Sequence, residues 1–171
     1  AGNRVRMYVN GVQQTLTDVW SGQPAQDTDY YWNLAGTTTH IGKYAERTDR
    51  WWDGYMADAC MYDGASLGPD SFGETNDNGI WVPIEPPDTG FGTNGFHLKF
   101  DDADHLGKNS AYASPSSYVP VSINFDGTND YLSRGAAITG LSDGTEFTLS
   151  FWVRKTGGDG GHMILFTDNA G

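Results

Sequence analysis

Eight Asn-Gly or Asp-Gly pairs, beginning at Asn10, Asp53, Asp63, Asn78, Asn94, Asp126, Asp143 and Asp159, constrain this chain more than any other feature. Both central residues of a type I′ turn need positive φ, which these dipeptides tolerate. Set between short aromatic and β-branched runs, they mark the turns of many short antiparallel strands. Period-two alternation agrees. Val5, Met7 and Val9 oppose Arg4, Arg6 and Tyr8; Phe96, Leu98 and Phe100 oppose His97, Lys99 and Asp101; Phe147, Leu149, Phe151 and Val153 oppose Thr148, Ser150 and Arg154. Each of these strands is expected to bury one face and wet the other. No window carries a sustained 3.6-residue apolar stripe, and the one helical turn expected follows Ala65-Ser66-Leu67, at Pro69-Asp70-Ser71. The fold class is therefore all-β.

With 37% apolar and 13% aromatic residues, the 171-residue chain holds enough to bury a core. Its formal charge of -12 is spread along the whole length, as on a solvated, self-repelling surface, which argues against nucleic acid as a partner. No stretch approaches the roughly 20 apolar residues of a membrane helix, so no membrane insertion is expected. The lone Cys60, in an expected strand from Met56 to Tyr62, reads as a small buried hydrophobe. No Asn-x-Ser/Thr sequon occurs.

Three regions follow. Residues 1–75 and 96–171 are strand-rich blocks, and residues 76–95 form a connector whose three prolines and four glycines are expected to break regular ladders. Ile80, Trp81, Val82, Ile84 and Phe91 mark the connector as packed along a surface.

Val5 to Gly11 (VRMYVNG), His40-Ile41-Gly42, Trp52 to Asp58 (WDGYMAD) and Tyr62-Asp63 in the first block, and Ile123 to Leu132 (INFDGTNDYL) and Phe147 to Arg154 (FTLSFWVR) in the second, are strings that resemble those of laminin G-like, concanavalin A-like sandwich domains. In that family the strings of the second block normally come first. The junction Ser71-Phe72-Gly73-Glu74, Gly79 to Pro83 (GIWVP) and Gly92 to Phe100 (GTNGFHLKF) is similar to one joining successive laminin G-like domains in tailed-phage virion proteins. The resemblance implies an antiparallel β-sandwich of jelly-roll type, present as the closing half of one domain (1–75) and the opening half of the next (96–171), or permuted. It implies a structural or receptor-facing component of a virion, such as a tail fibre, appendage or decoration protein, or of an extracellular filament. Half a sandwich exposes sheet edges and an apolar face, so each half is expected to be completed within a longer tandem array, within the molecule, or by copies of itself or neighbouring virion or filament subunits.

Catalytic chemistry finds little support. Glu46, Glu74, Glu85 and Glu146 are isolated, and none stands in the Glu-x-Asp-x-x-Glu pattern of glucanases sharing this fold. No Gly-x-Ser-x-Gly elbow accompanies His40, His97, His105 and His162, and Gly157 to Gly161 lacks the lysine of a phosphate loop. Asp101-Asp102-Ala103-Asp104 gathers oxygen donors suited to a hard cation, though not as an EF-hand, since Leu106 and Ala113 occupy ligand positions. In the resembling family a calcium ion ties the opening strands to an acid on the closing strand, a place matched by Asp58. A structural calcium held by Asp58, Asp101, Asp102 and Asp104 is thus one expectation. Cell-surface glycan is another potential partner: Tyr44, Arg47, Arg50 and Trp51 combine stacking rings with charged donors. Adjacent strand residues point opposite ways, so Trp52, matching a buried aromatic of the family, leaves Trp51 as the exposed ring. The expected function is that of a non-enzymatic structural or adhesive protein, with a carbohydrate-binding module of an adhesin or secreted enzyme as the alternative.

Overall fold

The computed structural model describes residues 4–16, 39–43, 50–111, 122–134 and 146–157. They form an all-β protein of antiparallel sheets, arranged as a β-sandwich. Its strands are β1 (Tyr8–Val9), β2 (Val12–Gln13), β3 (Thr39–Ile41), β4 (Asp53–Asp63), β5 (Gly73–Thr75), β6 (Trp81–Pro83), β7 (Phe96–Leu98), β8 (Ile123–Asp126), β9 (Leu132–Arg134) and β10 (Phe147–Lys155). Among the described residues a single 3₁₀ turn, Pro69–Ser71, falls where the sequence places a helical turn.

The central sheet is organised around β4. One edge of β4 pairs along its length with β10, from Asp63 opposite Phe147 to Gly54 opposite Lys155. Its other edge is shared: Asp53 to Met56 pair with β8, and Ala59 to Met61 pair with β7. Among the described residues every partner of β4 thus comes from the second strand-rich block. A second link between the blocks is the ladder of β3 with β9, with Ile41 opposite Leu132.

A bulge decides what β4 buries. Ser150 pairs with Cys60 and Trp152 with Ala57, so Phe151 stands against both Asp58 and Ala59, and Asp58 takes φ 49°. One extra residue inverts the inward-outward parity beyond it. Met56 and Ala59 therefore share a core with Ile41, Trp52, Leu98, Phe100 and Phe125, against which Leu132, Leu149 and Phe151 also pack. Cys60 and Tyr62 enter a second core with Phe72, Phe91 and Ala111. The first core lies between β4 and the β3–β9 ladder. The second is roofed by the segment from Ala65 to Phe91 and by the loop at Ala111. Cys60 is fully buried, and that burial, reinforced by Asp58, pushes its thiol pKa well up, in keeping with a packing role.

Three expectations are corrected. Val5 and Met7 are 50% exposed and Val9 46%, so the apolar face expected along this segment is not buried; the segment meets the rest where Trp81 packs on Gly11 and where Arg6 donates to the Ser66 hydroxyl at 2.8 Å. The connector does carry a ladder, β5 with β6, in which Pro83 sits at the terminal register opposite Gly73. A proline costs such a two-stranded ladder little when its missing N–H lies at the end. The glycine pairs are also not uniform hairpin turns. Among the described residues only Asn10-Gly11 has positive φ at both positions (49° and 76°), closing a two-residue loop between β1 and β2. Asp53-Gly54 lies inside β4, and Gly95 is needed for a close backbone approach. Asp143-Gly144 and Asp159-Gly160 lie outside the described residues.

Candidate functional site

Two polar constellations stand out, one buried and one at the surface. In the buried one, Asp58 and His97 are 3% and 4% exposed, with His97 Nε2 3.0 Å from Asp58 Oδ1. A carboxylate oxygen only accepts, so Nε2 carries the hydrogen of this bond. The bulge turns Asp58 toward β7, where His97 is fixed by its own backbone. Its amide donates to Asn109 Oδ1 at 3.0 Å, and its carbonyl accepts from the Ser110 amide at 2.8 Å. Phe91 stacks on the imidazole at 6.1 Å and on Tyr62 at 4.4 Å. The Tyr62 hydroxyl donates to the Pro87 carbonyl at 2.5 Å, and its burial raises its pKa far above the ordinary tyrosine value. Acid, imidazole and aromatic stack together form a buried polar rivet between β4, β7 and the connector.

The four acids expected to hold calcium are not gathered. Asp58 turns inward to His97. Asp102 lies on a surface loop, with Lys108 Nζ at 3.4 Å and His105 Nδ1 at 3.5 Å, while Asp101 and Asp104 are exposed. Partial burial opposes the charge of Asp102, but Lys108, the Asp104 amide and His105 outweigh it and hold the carboxyl below its usual pKa. Among the described residues no three His, Cys, Asp or Glu side chains converge as metal ligands.

The surface constellation lies where the β3–β9 ladder meets an isolated bridge between Lys43 and Trp51. Trp51 is half-buried and Trp52, next to it, is buried, as alternation requires. The Trp51 ring sits 5.7 Å from that of Tyr131, tilted by 44°, and Lys43 Nζ lies 4.8 Å from the centroid of each. His40 meets Tyr131 edge-on at 5.2 Å. Burial, then the Lys43 charge, lowers the His40 pKa, so His40 adds no positive charge beside Lys43 at neutral pH. Arg50 is exposed next to Trp51, whereas Tyr44 and Arg47 lie outside the described residues.

Sequence reading thus finds Trp51 and Arg50 but misses Lys43 and Tyr131. Tyr131 is 80 positions from Trp51, and only the pairing of β3 with β9 brings them together. The one sequence signal for Lys43 is its membership, with Arg47 and Arg50, of a basic cluster in an acidic chain.

No protein-family model, curated protein or solved structure matches this chain.

Proposed function

We propose that this chain is a non-enzymatic structural or adhesive protein of a virion or extracellular filament, built on a jelly-roll sandwich and assembling through copies of itself or neighbouring subunits. The observation that carries this reading is the composition of the central sheet, in which, among the described residues, β4 of the first block takes all its partners from the second. Two strand-rich blocks joined by a connector make such ladders equally well within one molecule or by exchange between two. The charge of -12 keeps unspecific association down, leaving strand pairing as the specific contact. Light scattering on size-exclusion fractions across a dilution series is the test. Species above the 18.6 kDa of one chain, shrinking on dilution, are expected. A single 18.6 kDa species at every concentration would remove self-assembly from the account.

A second reading, a carbohydrate-binding module, is favoured by the Lys43, Trp51 and Tyr131 constellation. Exposed rings with a polar group at their margin are how proteins stack sugars. Retention on immobilised polysaccharide is expected for the wild type and lost in Tyr131→Ala; equal elution of the two from every matrix would refute it.

A further inference from the structure

We infer that Lys43 and Tyr131 form a subsite for an anionic saccharide, with the sugar carboxylate paired to Lys43 and a sugar face laid on the open part of the Tyr131 ring. The inference rests on the carbohydrate-binding reading and adds the charge class of the ligand.

Lys43 is the key. Asp and Glu outnumber Lys and Arg by 22 to 10 in this chain, so a lysine ordinarily has an acidic neighbour. The ion pairs among the described residues join His97 to Asp58, and His105 and Lys108 to Asp102; Lys43 is in none of them. The nearest acid in sequence to Tyr131 is turned away, because Asp130 Oδ2 accepts the Asp126 amide at 3.0 Å. The Lys43 ammonium is instead held over two rings, which offer it a quadrupole but no counter-charge. An ammonium held this way keeps donors for an incoming anion, and the β-bridge to Trp51 fixes the backbone from which it projects.

The second element is exposure. Tyr131 remains 44% exposed although it touches Trp51, Lys43 and His40, so part of its ring is open to a ligand. His40, its pKa lowered, brings no second charge. A neutral sugar would satisfy the ring and leave Lys43 unpaired. A carboxylated one, such as a uronic acid, satisfies both, and a charge-assisted hydrogen bond is about twice as strong as a neutral one.

Titration calorimetry with alginate oligosaccharides, which carry carboxylates and no sulfate, and with dextran oligosaccharides as the neutral probe, tests this. Alginate fragments are expected to bind, more weakly as salt is raised. Lys43→Gln is expected to weaken that binding roughly tenfold, as for one charge-assisted hydrogen bond, and Tyr131→Ala to weaken it at least as much. Both side chains project from the surface, so unchanged thermal melts should confirm that the variants fold. Dextran binding that equals or exceeds alginate binding would overturn the anionic subsite and leave the carbohydrate reading standing. Binding of neither would overturn both. Alginate binding unaffected by either substitution would place the sugar elsewhere and overturn the subsite.

Discussion

Asp58→Ala is expected to lower the free energy of unfolding by about 2–4 kcal/mol, from a lost buried hydrogen bond to a carboxylate and a backbone contribution. Two effects act in the same direction. The first is that His97, 4% exposed and held by its backbone to Asn109 and Ser110, cannot swing out to water, so its Nε2–H is left without the acceptor it now has at 3.0 Å. The second is conformational: at φ 49° the bulge asks for a left-handed residue, which Asp and Asn adopt more readily than Ala, at a difference of about 1 kcal/mol. Asp58→Asn retains both an acceptor oxygen and the left-handed preference, and should lose clearly less than the alanine variant. Urea denaturation of the three proteins decides it. If Asp58→Ala unfolds within about 0.5 kcal/mol of wild type, within the spread of neutral surface substitutions, the acid–imidazole pair does not hold β4 to β7.

Gly95→Ala should cost about 3 kcal/mol or more, at the upper end for overpacked sites. A Cβ at this position would lie 2.6 Å from the Met61 carbonyl oxygen and closer still to that of Phe91. Both are backbone atoms. Met61 is fixed in β4 opposite Phe96, and the Phe91 carbonyl already accepts the Asp63 amide at 3.0 Å, so neither can move aside as a side chain would. Gly107→Ala supplies the control: it has open space around it and no positive φ, so it should be neutral or slightly stabilising. Thermal unfolding followed by circular dichroism would show a large drop for Gly95→Ala and none for Gly107→Ala; equal melting temperatures would mean the β4–β7 junction has slack that the present packing does not show.

The strand class was legible because turn chemistry and alternation are local signals, and the turn at Pro69–Ser71 could be read for the same reason. Non-local pairings decided the rest. Alternation marks Val5, Met7 and Val9 as one face but cannot say whether anything covers it, and nothing among the described residues does so fully. The bulge at Asp58 was hidden because its cause lies in the register of β10, about 90 residues downstream. The family resemblance drew attention to Asp58 as a candidate cation ligand, whereas the partner it has is His97, a residue that alternation assigned to the wet face of its strand. At the surface, the sequence shows Trp51 as an aromatic beside cations, but the ring that completes the cluster comes from the other block.

That shared ownership makes the surface cluster a sensor of closure. Trp51 belongs to residues 1–75 and Tyr131 to residues 96–171, so the two rings meet only when β3 and β9 pair. A ligand that touches both rings binds the closed arrangement alone and, by mass action, stabilises it by RT ln(1 + [L]/Kd), about 2.7 kcal/mol at a hundredfold excess over Kd. Where closure joins two molecules instead of one, the same ligand becomes a cross-link, and a polymer displaying many copies of it would select the assembled form over the free chain.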